Sequence, residues 1–367
     1  MALQRIVLKL GTSVLSNETK RLHRQRMLEI VQQVATLRSD GHELIVVSSG
    51  AQLAGRETLN YPEFSKTIPA KQVLSAVGQS KLMQIYGELF SIFEIVVAQV
   101  LLTRDDFGDR QRYLSARDAL LGMVEHRLVP IINENDTIAT HEIKVGDNDN
   151  LSALVANLID ADLLVILTDQ PGLYTADPRR DPHAELIRNV AHITDSTRAI
   201  AGGAGTAFGT GGMATKIEAA QLASRSGIAT VITAGREPNV LVRLMGGELL
   251  GTRFEPISTA VESRKRWLLA EKPRGELHID AGATKALLTG GVSLLPVGIK
   301  QVMGVFTHGE HLAVVDPDGR RVAHGLANYS SDALEQLRGI KSDRISEILG
   351  YTNGDAAIHR NNLVLLL

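Results

Sequence analysis

Between residues 5 and 235, short apolar runs alternate with longer stretches whose apolar residues recur at helical spacing. The runs are RIVLKL (5–10), ELIVVS (43–48), IVVAQVLL (95–102), LVPIIN (128–133), ADLLVILTD (161–169) and ATVITAG (229–235). A run that is apolar at nearly every position, rather than every second one, belongs in a strand covered on both faces, and such strands are typical of parallel sheets. Helical patterns separate the runs. Met27, Ile30, Val31, Val34 and Leu37 mark one within about 23–39, and others run over 68–91, 109–126 and 213–226. A further helix is expected to start near Asp149 or Asn150, both good caps. The alternation predicts an α/β fold: a mainly parallel sheet sandwiched by helices.

In sheets of this kind, ligands bind beyond the carboxyl ends of the strands. Gly11-Thr12-Ser13, Ser48-Ser49-Gly50, Asn133 to Asp136 and Thr168-Asp169 each follow a strand, so these separate polar clusters are expected to converge on one rim. After about residue 257 the pattern changes. A charged stretch, Glu262 to Arg274, reads as a linker, and from 275 shorter segments are divided by Gly290-Gly291, Pro296, Gly304 and Asp318-Gly319. That is the signature of a small strand-rich domain. The expected organisation is a catalytic domain over 1–257, a linker over 258–274 and a small β-rich domain over 275–367. The apolar end, Leu363 to Leu367, reads either as a final strand or as an interface.

The glycine-rich run 202–216, GGAGTAFGTGGMATK, ends in Lys216 at the head of a helix. Alone it reads as a flexible loop or as a backbone that approaches a polyanion. It is not a Walker A loop, because Thr215 rather than glycine precedes Lys216. Gly209, Gly211 and Ala214 fit a loose dinucleotide fingerprint, but no strand directly precedes them and the next strand ends without an acid for a ribose. Lys9 lies in an apolar strand just before a turn. A buried lysine is costly unless paired. It is either an edge lysine reaching water or a phosphate ligand, and Gly11-Thr12 beside it favours the second.

Asp147, Asn148, Asp149 and Asn150 form either an Asx turn with a cap or a carboxylate placed between two lysines. Asn133, Glu134 and Asp136 are either a solvated turn or polar groups for a zwitterionic substrate. The eleven histidines show no zinc spacing. Phosphoryl transfer needs positioning and charge neutralisation above all. A carboxylate acceptor is already ionised and requires no general base. A hydroxyl acceptor would require one, and no candidate stands out.

These residues carry a resemblance. VLKLGTSVL (7–15), SSGA (48–51), INENDTIAT (132–140), KVGDNDNLSA (144–153), LTDQPGLYTADPR (167–179) and GTGGMATK (209–216) resemble the bacterial glutamate 5-kinases of the amino acid kinase fold. LLPVGIKQV (294–302) and GRRVAHGLANYSSD (319–332) resemble their C-terminal PUA domain. The resemblance implies ATP-dependent phosphorylation of the side-chain carboxylate of L-glutamate to L-glutamyl 5-phosphate, the first step of proline biosynthesis. By motif position, Lys9 and Lys216 would neutralise the transferred phosphoryl group and Asp149 would orient them. Ser49, Asp136 and Asn148 would bind glutamate. Lys9, Gly11, Thr168, Asp169 and the stretch Thr210, Gly211, Gly212, Met213, Ala214, Thr215 and Lys216 would bind ATP. Mg2+ would ride mainly on phosphates and water, with no protein ligand assigned. Feedback inhibition by proline and a homo-oligomer, dimer or tetramer, are expected by the same resemblance.

Against the sister enzymes, Lys9-Leu10-Gly11-Thr12-Ser13 differs from the Lys-Phe-Gly-Gly-Thr-Ser opening of an aspartokinase. Asp136 argues against an N-acetylated acceptor, and the acidic 132–150 region argues against a nucleotide acceptor. Residues 275–367 hold 8 Lys/Arg and 10 Asp/Glu, a net of −2, which argues against RNA binding as the main function of the PUA-like domain. The chain has no cysteine and no run of 18 apolar residues, so a cytoplasmic protein with no membrane partner is expected.

Overall fold

Each apolar run folds as a strand, and two short strands join them: β1 (Arg5–Leu10), β2 (Glu43–Ser48), β3 (Val97–Leu102), β4 (Val129–Glu134), β5 (Leu163–Thr168), β6 (Asn189–Val190), β7 (Ala229–Ala234) and β8 (Thr252–Phe254). The computed structural model describes residues 3–16, 20–60, 67–139, 147–201, 212–257 and 273–366. The chain divides into two units, Met1–Ala260 and Val261–Leu367. Most of the linker expected over 258–274 lies outside the described residues, as do Thr210 and Gly211 of the glycine run.

The strands of the first unit form one sheet in the order β3-β4-β2-β1-β5-β7-β8-β6. All neighbours are parallel except β7 and β8. The helices are α1 (Thr12–Ser16), α2 (Arg24–Ser39), α3 (Ala51–Thr58), α4 (Ile68–Ser91), α5 (Asp105–Gly108), α6 (Arg110–Glu125), α7 (Asp147–Leu158), α8 (Asp195–Ala201), α9 (Met213–Arg225) and α10 (Val240–Met245).

Successive strand residues point to opposite faces, and the core divides accordingly. Ile6, Leu8 and Leu10 of β1 pack with Met27, Ile30 and Val34 of α2 and with Leu82, Ile85 and Tyr86 of α4. Val7 packs on the other face with Ala153, Val155 and Ala156 of α7 and with Ala219, Ala220 and Ala223 of α9. Each fully buried Leu, Ile or Val contributes about 1.5–3 kcal/mol, so the two faces together hold the sheet rigid. Lys9 follows Val7 on the face covered by α7 and α9, and Ser48 follows Val46 on the face covered by α4.

Two close approaches fix helices near the rim. A Cβ on Gly78 of α4 would lie 1.7 Å from Ala51 O, and one on Gly55 of α3 would lie 2.0 Å from Leu74 O. The backbones of α3 and α4 therefore touch, which only glycine at these two positions allows. The structure also corrects the start of α7. It begins at Asp147, so Asp149 and Asn150 lie within its first turn and neither caps it. The Asp149 side chain turns inward to two ammonium groups instead.

The second unit has strands β9 (Gly275–Ile279), β10 (Ile299–Gly304), β11 (His311–Val315), β12 (Arg321–Leu326) and β13 (Leu363–Leu365). They form a separate sheet in the order β10-β9-β11-β12-β13, with only β9 and β11 parallel. Asp318-Gly319 makes the turn between β11 and β12, with Gly319 at φ +79°. The apolar end is a strand, Leu365 pairing with Ala323. Leu277, Leu312, Val314, Phe306, Tyr329 and Leu334 form part of this unit's own core.

Candidate active site

The carboxyl end of β1 sits between β2 and β5, so whatever follows β1 faces both halves of the sheet. Lys9 is the last residue of β1 pointing to the α7/α9 face. Its Nζ lies 2.6 Å from Asp149 Oδ1, and Lys216 Nζ lies 3.2 Å from Asp149 Oδ2. Asp149 is 0% exposed, and Lys9 and Lys216 are each 5% exposed. Three charged groups from β1, α7 and α9 are thus buried together. Two ammoniums share one carboxylate, so the three groups together carry a net charge of +1.

Burial alone would push the Asp149 carboxyl up, but Lys9 and Lys216, with hydrogen bonds from Lys9 and Thr215, outweigh it and hold the group below its usual value. Burial lowers the Lys9 ammonium pKa. Asp149 opposes that shift and the charge of Lys216 adds to it, so the group stays below an ordinary lysine. A buried cation pair with excess positive charge is costly in an empty protein. It suits a site that receives a polyanion.

Thr215 adds a third contact. Its hydroxyl lies 2.8 Å from Asp149 Oδ2 and 2.9 Å from Gly212 O. One proton serves one of these acceptors at a time. Gly212 is the N-cap of α9 and brings no side-chain cap, so the N–H groups of Met213, Ala214 and Thr215 in the first turn have no intrahelical partner. Those donors and the positive helix end face the same side as Lys216. The Met213 side chain packs against the core and Ala214 is exposed, so only their backbones can serve an anion.

On the β5 side, Thr168 Oγ1 donates to Asp169 Oδ1 at 2.9 Å, and Gly235 N donates to Thr168 O at 2.7 Å. A Cβ on Gly11 would lie 3.6 Å from Leu167 O and 3.7 Å from Lys9 Nζ. Gly11, Thr168 and Asp169 therefore leave the sheet side by side, next to Lys9.

On the β2 and β4 side a second set of polar groups converges. Asn148 Nδ2 lies 3.3 Å from Ser48 O, 3.0 Å from Ser49 Oγ and 2.9 Å from Asn133 Oδ1, three acceptors for its two protons. Asn133 Nδ2 donates to Gln79 Oε1 at 2.9 Å, and Ser75 Oγ donates to Asp136 Oδ2 at 2.7 Å. Asn148 Oδ1 is buried with no hydrogen-bond partner. An orphaned acceptor costs about 1–3 kcal/mol unless a ligand satisfies it. With the Ser49 hydroxyl beside it, this corner offers an acceptor to a donor group such as an ammonium.

Ser49 and Asn148 thus share one polar network with Asn133 and Gln79, Asp136 pairs separately with Ser75 of α4, and Lys9, Asp149, Lys216 and Thr215 form another network. Consecutive residues of α7, Asn148 and Asp149, join the two networks. Sequence reasoning missed Ser75, Gln79 and Tyr86 of α4. The signal was present: Gln72, Ser75 and Gln79 form a polar stripe at helical spacing, and Ser75 and Gln79 are buried. Among the described residues no three His, Asp or Glu side chains converge on one point as a metal cage would require.

A rim of this composition on a mainly parallel α/β sheet is that of a phosphotransferase, and the chain belongs to the amino acid kinase family: the family model matches residues 4–234, and a PUA domain model matches residues 275–349. Glutamate 5-kinases are among the relatives it matches over nearly its whole length. It is 55% identical over 361 residues to that of Herpetosiphon aurantiacus, covering 98% of each chain, and 53% identical over 362 residues to that of Sodalis glossinidius, covering 99% of each. The fold also matches a solved carbamate kinase from Giardia lamblia bound to AMP-PNP, with a TM-score of 0.51 and 17% identity over 69% of this chain and 99% of that one.

Proposed function

We propose that this chain transfers the γ-phosphoryl group of ATP to the side-chain carboxylate of L-glutamate, giving L-glutamyl 5-phosphate and ADP, the first step of proline biosynthesis. The observation that carries the reading is the buried trio of Lys9, Asp149 and Lys216, with one excess positive charge, lying beside an acceptor corner that lacks a donor at Asn148 Oδ1. Relatives that it matches over nearly its whole length bear the same activity in their name.

The chemistry follows from those groups. A carboxylate oxygen of glutamate forms the new bond to the γ-phosphorus while the bond from that phosphorus to the β–γ bridging oxygen breaks. The leaving electron pair stays on ADP. No proton moves, because the acceptor is already ionised at neutral pH. The protein's task is to align donor and acceptor and to neutralise charge on the transferred group. Lys9 and Lys216 take that second role, held at fixed separation by the two oxygens of Asp149. Gly11, Thr168, Asp169 and the α9 N-terminus bind the nucleotide. Ser49, Asp136 and Asn148 take the amino acid, the ammonium group answering the carboxylate and the orphaned amide oxygen. Mg2+, when bound, neutralises phosphate charge, held by phosphate oxygens and water, with no cage of side chains among the described residues.

Feedback by proline, a dimeric or tetrameric assembly and a cytoplasmic location complete the proposal. No helix among the described residues is long and apolar enough to cross a membrane.

The test is direct. The chain, incubated with Mg-ATP, hydroxylamine and either L-glutamate, L-aspartate or N-acetyl-L-glutamate, should give a hydroxamate chiefly with glutamate. A faster reaction with either alternative acceptor would overturn the substrate.

A further inference from the structure

Helix α4 touches neither lysine of the trio, yet one of its faces reaches both segments that form the acceptor corner. Ser75 Oγ donates to Asp136 Oδ2 at 2.7 Å, on the loop after β4. Three turns further along, Tyr86 OH lies 2.7 Å from Ser48 Oγ at the end of β2. Ser48 Oγ donates to Ser49 O at 2.9 Å, so its proton is committed and Tyr86 is the donor of the pair. Burial pushes the Tyr86 phenol far above its usual range, which keeps that proton in place. Ser75 is 3% exposed and Tyr86 is 1% exposed; the Tyr86–Ser48 bond is buried on both sides, whereas Asp136 is half-buried. The zero-gap contact of Gly78 and Gly55 fixes how far α4 stands from α3 and from the strand end that precedes it.

We infer that Ser75 and Tyr86 are positioning residues for the amino-acid acceptor: Ser75 orients the Asp136 carboxylate, and Tyr86 holds the Ser48 hydroxyl against the Ser49 carbonyl, through which Ser49 is aimed. Neither touches the phosphoryl-transfer groups. Both act through residues that the proposed function assigns to glutamate, so the inference rests on that reading. Acceptor affinity is set here by hydroxyl groups on one helix, at positions 75 and 86, rather than only by the residues that meet the substrate.

The experiment uses the full chain and the hydroxamate assay with Mg-ATP. The parent protein is measured first, and if it makes no glutamyl hydroxamate the functional reading itself fails. If it does, Ser75→Ala and Tyr86→Phe should each raise KM for glutamate about three- to tenfold, the scale of one lost buried hydrogen bond. KM for ATP and kcat should stay within about twofold. Asp136→Ala and the double variant Ser75→Ala/Asp136→Ala should have the same KM for glutamate, because Ser75 works through Asp136. Ser75→Ala and Tyr86→Phe combined should multiply their effects, because they serve different segments. An unchanged KM for glutamate in both single variants overturns the inference. So does an equal rise in KM for ATP, or a double variant in which the Ser75 and Asp136 effects multiply. Tyr86→Phe keeps the ring and its packing, so it reads out the hydroxyl alone should Ser75→Ala fold poorly.

Discussion

Asp149→Asn is the sharpest perturbation the site offers. Asparagine keeps the shape of the side chain and one oxygen for Thr215, but it removes the carboxylate charge that lies between two buried ammoniums. At an effective dielectric constant of about 20, charges separated by the observed 2.6 Å and 3.2 Å attract by about 6 and about 5 kcal/mol before desolvation is subtracted. Breaking a buried pair by removing one partner costs about 3–5 kcal/mol net. For a unit of this size that corresponds to a fall in melting temperature of roughly 6–20 °C. Turnover should fall further than for a single lost donor, by at least about a thousandfold, because both lysines lose their anchor. The stability loss has a further signature. Mg-ATP brings negative charge to the unpaired ammoniums, so it should raise the variant's melting temperature more than the parent's. The assays are thermal unfolding with and without Mg-ATP, and hydroxamate formation under saturating substrates. A variant with kcat within about tenfold of the parent and an unchanged melting temperature would refute the reasoning, since Asp149 would then organise nothing.

Other expectations follow from the same geometry. Lys216→Ala should lower kcat by at least about a hundredfold with the fold retained, measured by the same assay, and near-normal turnover would remove Lys216 from the mechanism. Gly78→Ala places a methyl 1.7 Å from Ala51 O, so α3 and α4 must separate. The expected cost is about 3 kcal/mol or more, read as a lower melting temperature, and an unchanged one would contradict the backbone contact. Burial, opposed by Asp149 and reinforced by Lys216, lowers Lys9 below 10.5 in the free protein, so the alkaline limb of kcat/KM should have its midpoint below that value. A limb centred at or above 10.5 would count against it. In stability the signs are opposite for the two partners. Asp149, lowered from 3.8, stabilises above that pH, and its contribution is lost as pH falls through the folded value. Lys9 destabilises while charged, and that cost fades as pH rises from its lowered value toward 10.5.

The sheet was legible because its strands are buried on both faces and therefore read as continuous apolar runs. Residues 5–10 and 43–48 match β1 and β2 to the residue, and the long pattern over 68–91 matches α4. The antiparallel turn at the sheet edge was not legible. β8 and β6 are three and two residues long, too short to carry any periodicity. Helix α3 escaped for a related reason. It follows Gly50 at φ +104° and owes its place to contact with α4, which no local pattern encodes. Lys9 and Asp149 were legible as candidates, but each also had a purely structural reading. What decides between those readings is the 2.6 Å contact between residues far apart in the chain. Ser75, Gln79 and Tyr86 show the converse: their polar character is visible in the sequence, but their purpose depends on which strand ends α4 lies against.

The place of β1 in the sheet has a consequence for biosynthesis. β1 pairs on one side with β2 and on the other with β5, whose paired residues are Leu163 to Leu167. A nascent chain made from its N-terminus therefore carries β1 with one bare edge until residue 167 has emerged. Lys9 waits without its counter-ion until residue 149, and without its companion cation until residue 216. Such non-local pairing is slow, and exposed strand edges invite association with other chains. Ribosome-arrested chains ending near residue 160 should thus be protease-sensitive and aggregation-prone, whereas those with residues 1–260 outside the exit tunnel should resist proteolysis. Equal resistance at both lengths would show that β1 finds a stable partner without β5.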